Sequence, residues 1–306
     1  MSIDAKSVKD LRDRTGAGMM DCKKALTETD GDLDKAIVLL REKGLAGASK
    51  KAGRIAADGL VGVFTSADSK SAVVLELNCE TDFVAKTDGF QSLFDTLGNA
   101  VLAADVSDGT GETAADLKTD GGKTIGELLQ ESIAKIGENL SLRRFSRMVS
   151  STGVVGSYVH GGGKIGVLVE IKGGDQRHLE LARSLAMQVA AAFPRVVSRE
   201  QVTSADLDGE REIYRQQALA AGKPEKIVER IVDGKMDKFY SEICLLEQEF
   251  VRDGDVRIDK LVADSAKETG AALEVTRFSR FQLGEGIEKK QSNLADEVAQ
   301  TIGQSA

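Results

Sequence analysis

The chain has no tryptophan, and aromatic residues make up only 4% of it. With so few rings, a phenylalanine placed at a turn calls for a reason. Two histidines, His160 and His178, are too few for most metal centres. Three cysteines, Cys22, Cys79 and Cys244, lie far apart with no CxxC pair, which argues against a disulfide framework or a structural zinc site. No apolar run approaches the ~20 residues of a membrane-spanning helix. A basic excess is also missing. The net charge of −8 argues against a general nucleic-acid binder and makes another protein the better class of partner. The opening residues, Met1-Ser2-Ile3-Asp4, carry neither a signal-peptide pattern nor an Arg-rich transit pattern, so the expected location is the cytoplasm.

What remains is a chain of 306 residues, long enough for two or three domains. Residues 1–45 read as three short helices. Val8 and Leu11 line the first, which Gly16 or Gly18 ends. Cys22, Ala25 and Leu26 line the second, with Gly31 as its stop. Asp32 then caps a third helix carrying Ala36, Ile37, Leu39 and Leu40 and ending at Gly44. The segment 46–56, rich in small residues with a lysine pair, reads as a linker.

Strand and helix patterns alternate beyond it. Leu60 to Phe64 and Ala72 to Cys79 flank a polar turn and predict a β-hairpin. Phe90, Leu93, Phe94, Leu97 and Val101 fall on one helical face, and a second helix runs from Ile125 to Ile136 before Gly137. Leu140 to Arg147 alternates like a strand. This unit, 57–150, recurs over 151–284. Val61-Gly62-Val63-Phe64 returns as Val155-Gly156-Ser157-Tyr158 at an offset of 94, and Arg144-Phe145-Ser146-Arg147 returns as Arg277-Phe278-Ser279-Arg280 at an offset of 133. The 39-residue difference places an insertion within about 206–247, which reads as two helices with Pro224 in the first turn of the second. A projecting helix pair on a duplicated α+β core is the expected fold. The four arginines of the repeated motif read as polar faces of core strands.

Several spellings of catalytic sites do not survive their context. Gly161-Gly162-Gly163-Lys164-Ile165-Gly166 satisfies GxGxxG, but joins two strands instead of opening a helix on a phosphate. Gly122-Lys123-Thr124 lacks the leading glycine and strand of a P-loop. Asp30, Asp32 and Asp34 resemble a calcium loop, yet Lys35 stands where the sharp turn requires glycine. No nucleophile or flanked catalytic base is visible, so the reading is a non-enzyme without cofactor or metal.

Two features point to a partner. Thr81-Asp82-Phe83-Val84 lies between a strand and a helix. Either Thr81 or Asp82 caps that helix and Phe83 staples it to the core, or Phe83 is an apolar wedge for another protein. In the joint between the first two helices, Met19 and Met20 cannot both face a three-helix core. At least one is left for an adaptable contact, or merely rests on the surface, with Arg12 and Lys23 flanking it. His160, before the glycine-rich turn, reads as a surface turn residue.

The block from Leu11-Arg12 to Leu26, the run Asn78 to Lys86, Lys135 to Asn139, Gly156 to His160 and Gly284-Glu285-Gly286-Ile287-Glu288 together resemble the elongation factor Ts family, in order, over about residues 5 to 300. The resemblance implies a bacterial-type guanine nucleotide exchange factor for elongation factor Tu. Its N-terminal three-helix module would be UBA-like, its core two similar subdomains with antiparallel sheets, and its C-terminal helical module residues 285–306, where Leu294, Val298 and Ile302 keep a 4-residue spacing. It further implies that Thr81, Asp82, Phe83 and Val84 disturb the partner's Mg²⁺ and phosphate contacts. Arg12, Met19, Met20 and Lys23 would dock on the same partner domain, Ile136, Gly137 and His160 would lie near the intrusion, and Val251 would touch another partner domain. Arg252 stands where an apolar residue is expected beside that last contact. The implied assembly is a heterodimer or 2:2 complex, with no nucleotide bound by this chain and no membrane. The alternative is a protein-binding scaffold that uses the N-terminal bundle.

Overall fold

The computed structural model describes residues 3–288. Three helices come first, α1 (Ala5–Thr15), α2 (Met19–Glu28) and α3 (Leu33–Lys51). Asp4 caps α1 by accepting the Ser7 amide at 2.6 Å, and Asp32 caps α3 by accepting that of Lys35 at 3.0 Å. Gly16 ends α1 in the left-handed conformation, with φ of 67°, where only glycine is unstrained. Val8, Leu11, Cys22, Ala25, Leu26 and Ala36 close a small core between the three helices.

Helix α3 does not stop at Gly44. It continues to Lys51, so most of the expected linker is helical. The reason lies in what α3 packs on, the helix α6 (Ile125–Ile136). A Cβ on Gly44 would come within 3.0 Å of the Ala134 Cβ, so the glycine serves close approach of two helices, not a break. Lys51 Nζ donates to the Ile133 carbonyl at the far end of the contact.

The core follows as two like halves. In the first, β1 (Asp58–Thr65), β2 (Ser71–Cys79) and β3 (Ser141–Val149) form an antiparallel sheet in the order β1-β2-β3. The short α4 (Asp82–Ala85), α5 (Asp88–Ala103) and α6 sit between β2 and β3 in the chain. In the second, β4 (Gly153–His160), β5 (Ile165–Lys172) and β8 (Glu274–Gln282) form the matching sheet, which α7 (Leu179–Ala192) covers. Strand β2 is buried on both faces, which accounts for the consecutive apolar residues Ala72 to Leu75. Val73, Leu75 and Leu77 meet the helices of the first half, while Ala72 and Val74 meet Val155 and Leu168 of the second sheet. Gly62 and Gly156, the repeated glycines, lie where a Cβ would strike the Phe94 ring and Ala182 respectively. Glycine there lets a helix lie close on its sheet.

The insertion is α8 (Ser204–Ala220) and α9 (Glu225–Ile243). Pro224 is the residue before α9 and not in its first turn, and Gly222, with φ of 71°, turns the chain. Ala218, Val228, Val232, Met236 and Phe239 pack the pair on itself, and Ile243 at its root accepts amides from Arg195 and Val196. A two-strand ribbon, β6 (Glu249–Phe250) and β7 (Asp253–Arg257), and helix α10 (Ile258–Thr269) then lead to β8. The expected C-terminal helix, with Leu294, Val298 and Ile302, lies outside the described residues beyond Glu288. Among the described residues no helix is long and apolar enough to cross a membrane.

Of the four repeated arginines, expected on polar faces of core strands, Arg144 and Arg277 pair with strand carboxylates. Glu76, fully buried, accepts from Arg143 and, at 2.7 Å, from Arg144 Nε, while Glu170 accepts from Arg277 Nε at 2.8 Å. Both carboxylates sit beside the same irregularity of register, Glu76/Leu77 in one sheet and Glu170/Ile171 in the other. These ion pairs lie where the two sheets meet.

Candidate functional site

Strand β2 ends at Cys79, whose thiol donates to the Thr81 carbonyl at 3.0 Å. Thr81 is extended, with φ of −130° and ψ of 150°, and its hydroxyl oxygen accepts the Val84 amide, so it caps α4. The expected helix, α5, is capped instead by Thr87, whose hydroxyl oxygen accepts the Phe90 amide at 3.3 Å, so Thr81 caps a short turn that the sequence did not announce. No staple forms, because Phe83 is 78% exposed while Ala85 is buried and Val84 packs partly on the core. Phe90, fully buried at the start of α5, anchors the segment in its place. An exposed ring of this size on a four-residue turn contributes nothing to the chain's own core.

Asp82 forms an ion pair with Lys86 one turn on, at 2.6 Å. The Lys86 ammonium, with Lys164 at longer range, holds the Asp82 carboxyl below its usual value. Lys86 also lies 5.9 Å from the centre of the Phe83 ring. Acid, ring and ammonium thus share one exposed turn.

The second half approaches this turn through its hairpin loop. Gly161, Gly162 and Gly163 all have positive φ, which is what a tight β4–β5 connection requires, so the GxGxxG spelling is a turn. Gly163 is buried against Leu60, and its carbonyl accepts the Val61 amide at 2.8 Å, seating the loop on β1. His160 is exposed at the end of β4, with the Tyr158 hydroxyl 3.2 Å from its Nδ1. Lys164, whose amide bonds back to the His160 carbonyl, is the lysine that acts on Asp82.

Ile136 and Gly137 end α6, Ile136 packed partly on the first core and Gly137 left-handed with φ of 90°. The next residue, Glu138, accepts the amides of Glu80 and Thr81, bringing this loop directly behind the Phe83 turn. On the N-terminal bundle Met19 and Met20 are both exposed, at 56% and 62%, in the first turn of α2, and Arg12 and Lys23 are exposed as well. Val251 is 48% exposed on the turn between β6 and β7, next to the buried Phe250, with its amide held by Gln188 Oε1 at 2.8 Å. It shares no element with the other candidates, and Arg252 beside it is exposed.

The structure therefore brings Thr81, Asp82, Phe83 and Val84 together with the end of α6 and the loop after His160. The bundle residues and Val251 lie on separate elements. Sequence reasoning gave no role to Glu138, Glu80, Lys86 or Lys164. Lys86 was within reach, four residues after Asp82. The pairing of Glu138 with Thr81 spans 57 residues and leaves no periodic trace. Among the described residues, no cluster of three or more His, Cys, Asp or Glu side chains is placed to hold a metal.

The family model described as Elongation factor TS matches residues 80–285, from the residue before Thr81 to the end of the second half. Elongation factor Ts of Clostridium botulinum (strain Eklund 17B / Type B) is 54% identical over 303 residues, covering 98% of this chain and 99% of that protein. The Clostridium novyi (strain NT) protein of the same name is 49% identical over 306 residues, covering 99% of each. That of Clostridium perfringens (strain SM101 / Type A) is 50% identical over 303 residues, 98% of this chain and 99% of its own. A match over nearly the whole length, with the exposed turn inside the family's region, leaves one conclusion: the chain belongs to the elongation factor Ts family, and so is a translation elongation factor.

Proposed function

We propose that this chain promotes nucleotide exchange on elongation factor Tu, binding its GDP form and hastening GDP release so that GTP can reload. The observation that carries the reading is Phe83, an exposed ring beside an acid on a turn that Val84 and Ala85 seat on the core. Asp82 and Phe83 enter the partner's nucleotide domain and disturb the contacts of its Mg²⁺ and phosphates. No bond of the nucleotide is made or broken, so the chain is an exchange factor and not a covalent catalyst.

The energetics are consistent with a wedge. Mg²⁺ neutralises phosphate charge, and displacing it weakens the nucleotide's hold. Linkage then requires that nucleotide weaken the factor's hold by the same ratio. Each tenfold gain in release rate takes about 1.4 kcal/mol. Burying one Phe side chain in a pocket that exists only in the opened state supplies roughly 1.5–3 kcal/mol. The wedge thus accounts for about one or two decades, and the remaining contacts supply the rest. Met19 and Met20, with Arg12 and Lys23, dock on the same domain. Ile136, Gly137 and His160 back the intrusion, and Val251 reaches a further domain of the partner in a heterodimer or 2:2 complex.

The test is direct. Elongation factor Tu loaded with a fluorescent GDP is mixed with excess unlabelled GDP, with and without the full chain. Release should accelerate in proportion to the chain until it saturates. Release at the basal rate throughout would refute exchange and favour a scaffold role for the bundle.

A further inference from the structure

We propose that Glu138 is a positioning residue for exchange, holding the Asp82-Phe83 turn in the attitude that lets the ring enter the partner. The inference rests on the exchange reading above and adds to it a residue that need not touch the partner.

The Asp82-Phe83 turn has little of its own to hold its N-terminal side. Helix α4 has four residues, and a single helical turn cannot repay the cost of its own nucleation. Its cap is weak, since the Thr81 hydroxyl accepts the Val84 amide at 3.4 Å. Val84 and the buried Ala85 seat the C-terminal side of the turn on the core, but Phe83 makes no core contact, so the Glu80-Thr81 side needs a separate hold.

Glu138 supplies what is missing. Its Oε2 accepts the amides of Glu80 and Thr81, each at 3.0 Å, and its Oε1 accepts the Thr81 hydroxyl proton at 2.7 Å. Three donors on one carboxylate are charge-assisted and stronger than neutral bonds. The hydroxyl bond also sets the cap. With its proton committed to Glu138, the Thr81 oxygen turns its lone pairs toward Val84. The brace is reciprocal, because Glu80 Oε1 accepts the Asn139 amide at 2.6 Å and Arg54 Nη1 at 3.3 Å. Asn139 Nδ2 in turn donates to the Arg54 carbonyl at 2.8 Å. The end of β2, the loop after α6 and the chain leaving α3 are thereby locked at one knot. Gly137, left-handed, aims Glu138 into it.

Removing this carboxylate leaves β2, α5 and α6 on their own cores but lets the turn lose its attitude. The loss should fall on the opening step, because the N-terminal bundle docks independently of the turn. The experiment measures the saturating rate of GDP release and the half-saturating concentration for the full chain and its variants. Glu138→Ala should lower the saturating rate about tenfold, within the range that misplacing a reacting group by an ångström can cost. Half-saturation should change much less. Glu138→Gln should recover most of the rate, since its oxygen still accepts the two amides and its NH₂ can donate to the Thr81 oxygen. Combined with Phe83→Ala, Glu138→Ala should add no further loss, because it acts through the ring. A wild-type saturating rate for Glu138→Ala, or losses that multiply in the double variant, would overturn the proposal.

Glu138→Asp, which keeps the charge but falls one methylene short, serves if the alanine variant does not fold, and should lie between alanine and wild type. Hydrogen exchange on the free protein separates the two readings. In Glu138→Ala or Glu138→Asp the amides of Glu80, Thr81 and Val84 should lose protection while those of β2 and α5 keep theirs. Unchanged protection at those three overturns the brace. Failure of the wild-type chain to release GDP overturns exchange instead.

Discussion

The hydroxyl of Ser146 lies 2.9 Å from that of Ser279, its own counterpart in the second half of the chain. The arginines around them follow the same relation. Arg144 donates to the Gln282 carbonyl and Arg277 to the Val149 carbonyl, each reaching the end of the other half's last strand. The repeated Arg-Phe-Ser-Arg motif therefore pairs with itself across the joint between the two sheets. The serine pair predicts a coupled response. Ser146→Ala or Ser279→Ala should each cost about 1 kcal/mol, as one hydroxyl loses its partner. The double variant should cost well below the sum, and additive losses in urea unfolding would contradict the pairing.

Glu76 and Glu170 hold equivalent places but differ in burial. Glu76 is fully buried and faces Arg143 and Arg144, whereas Glu170 is partly exposed and pairs with the half-exposed Arg277. Stranding buried charge costs roughly 3–5 kcal/mol, and exposed pairs are worth about 1 kcal/mol or less. Glu76→Ala should therefore destabilise the protein by several-fold more than Glu170→Ala in chemical denaturation. Equal losses would mean that the joint does not depend on Glu76.

Burial raises the thiol of Cys79 to about 12 and that of Cys244 to about 11, and Cys22 is buried as well. At neutral pH the thiolate needed for alkylation is scarce and enclosed. Native protein should resist iodoacetamide at all three positions and take up three equivalents once unfolded. Rapid labelling of any one in the native state would show that its cover opens.

Acid should weaken the fold in a defined window. The Arg177 guanidinium holds the Asp175 carboxyl down to about 2, and the amides of Ser7 and Lys35 lower the capping carboxyls of Asp4 and Asp32. A folded value below the unfolded one gives stability that is complete above the unfolded value of 3.8 and is lost as pH falls through the folded one. The thermal midpoint should fall between pH 3.8 and about 2, and Asp175→Asn should flatten part of that fall. An unaltered slope would remove Asp175 from the account.

Much of the architecture was legible because local patterns carried it. The helix from Ile125 to Ile136 and the paired-helix insertion follow from periodicity and stop residues. Where the reading failed, the deciding contact was distant. Gly44 looks like a helix stop, yet Ala134 beside it makes it a packing glycine. Arg144 reads as the polar face of a core strand, with nothing local to name Glu76 and Gln282 as its partners. At the site, spacing left Phe83 between staple and wedge, and only its exposure in the folded chain rules out the staple. Glu138 was invisible for the same reason as Arg144, since its partners come from another element.

The central claim meets its most direct test in Phe83→Ala. The saturating rate of fluorescent GDP release from elongation factor Tu is compared with wild type, and the thermal midpoint of the free protein is measured alongside. Because Phe83 is exposed, the midpoint should not move, while the rate should fall by about one to two decades, the worth of one buried ring. An unchanged rate with an intact fold would show that the ring does not pry.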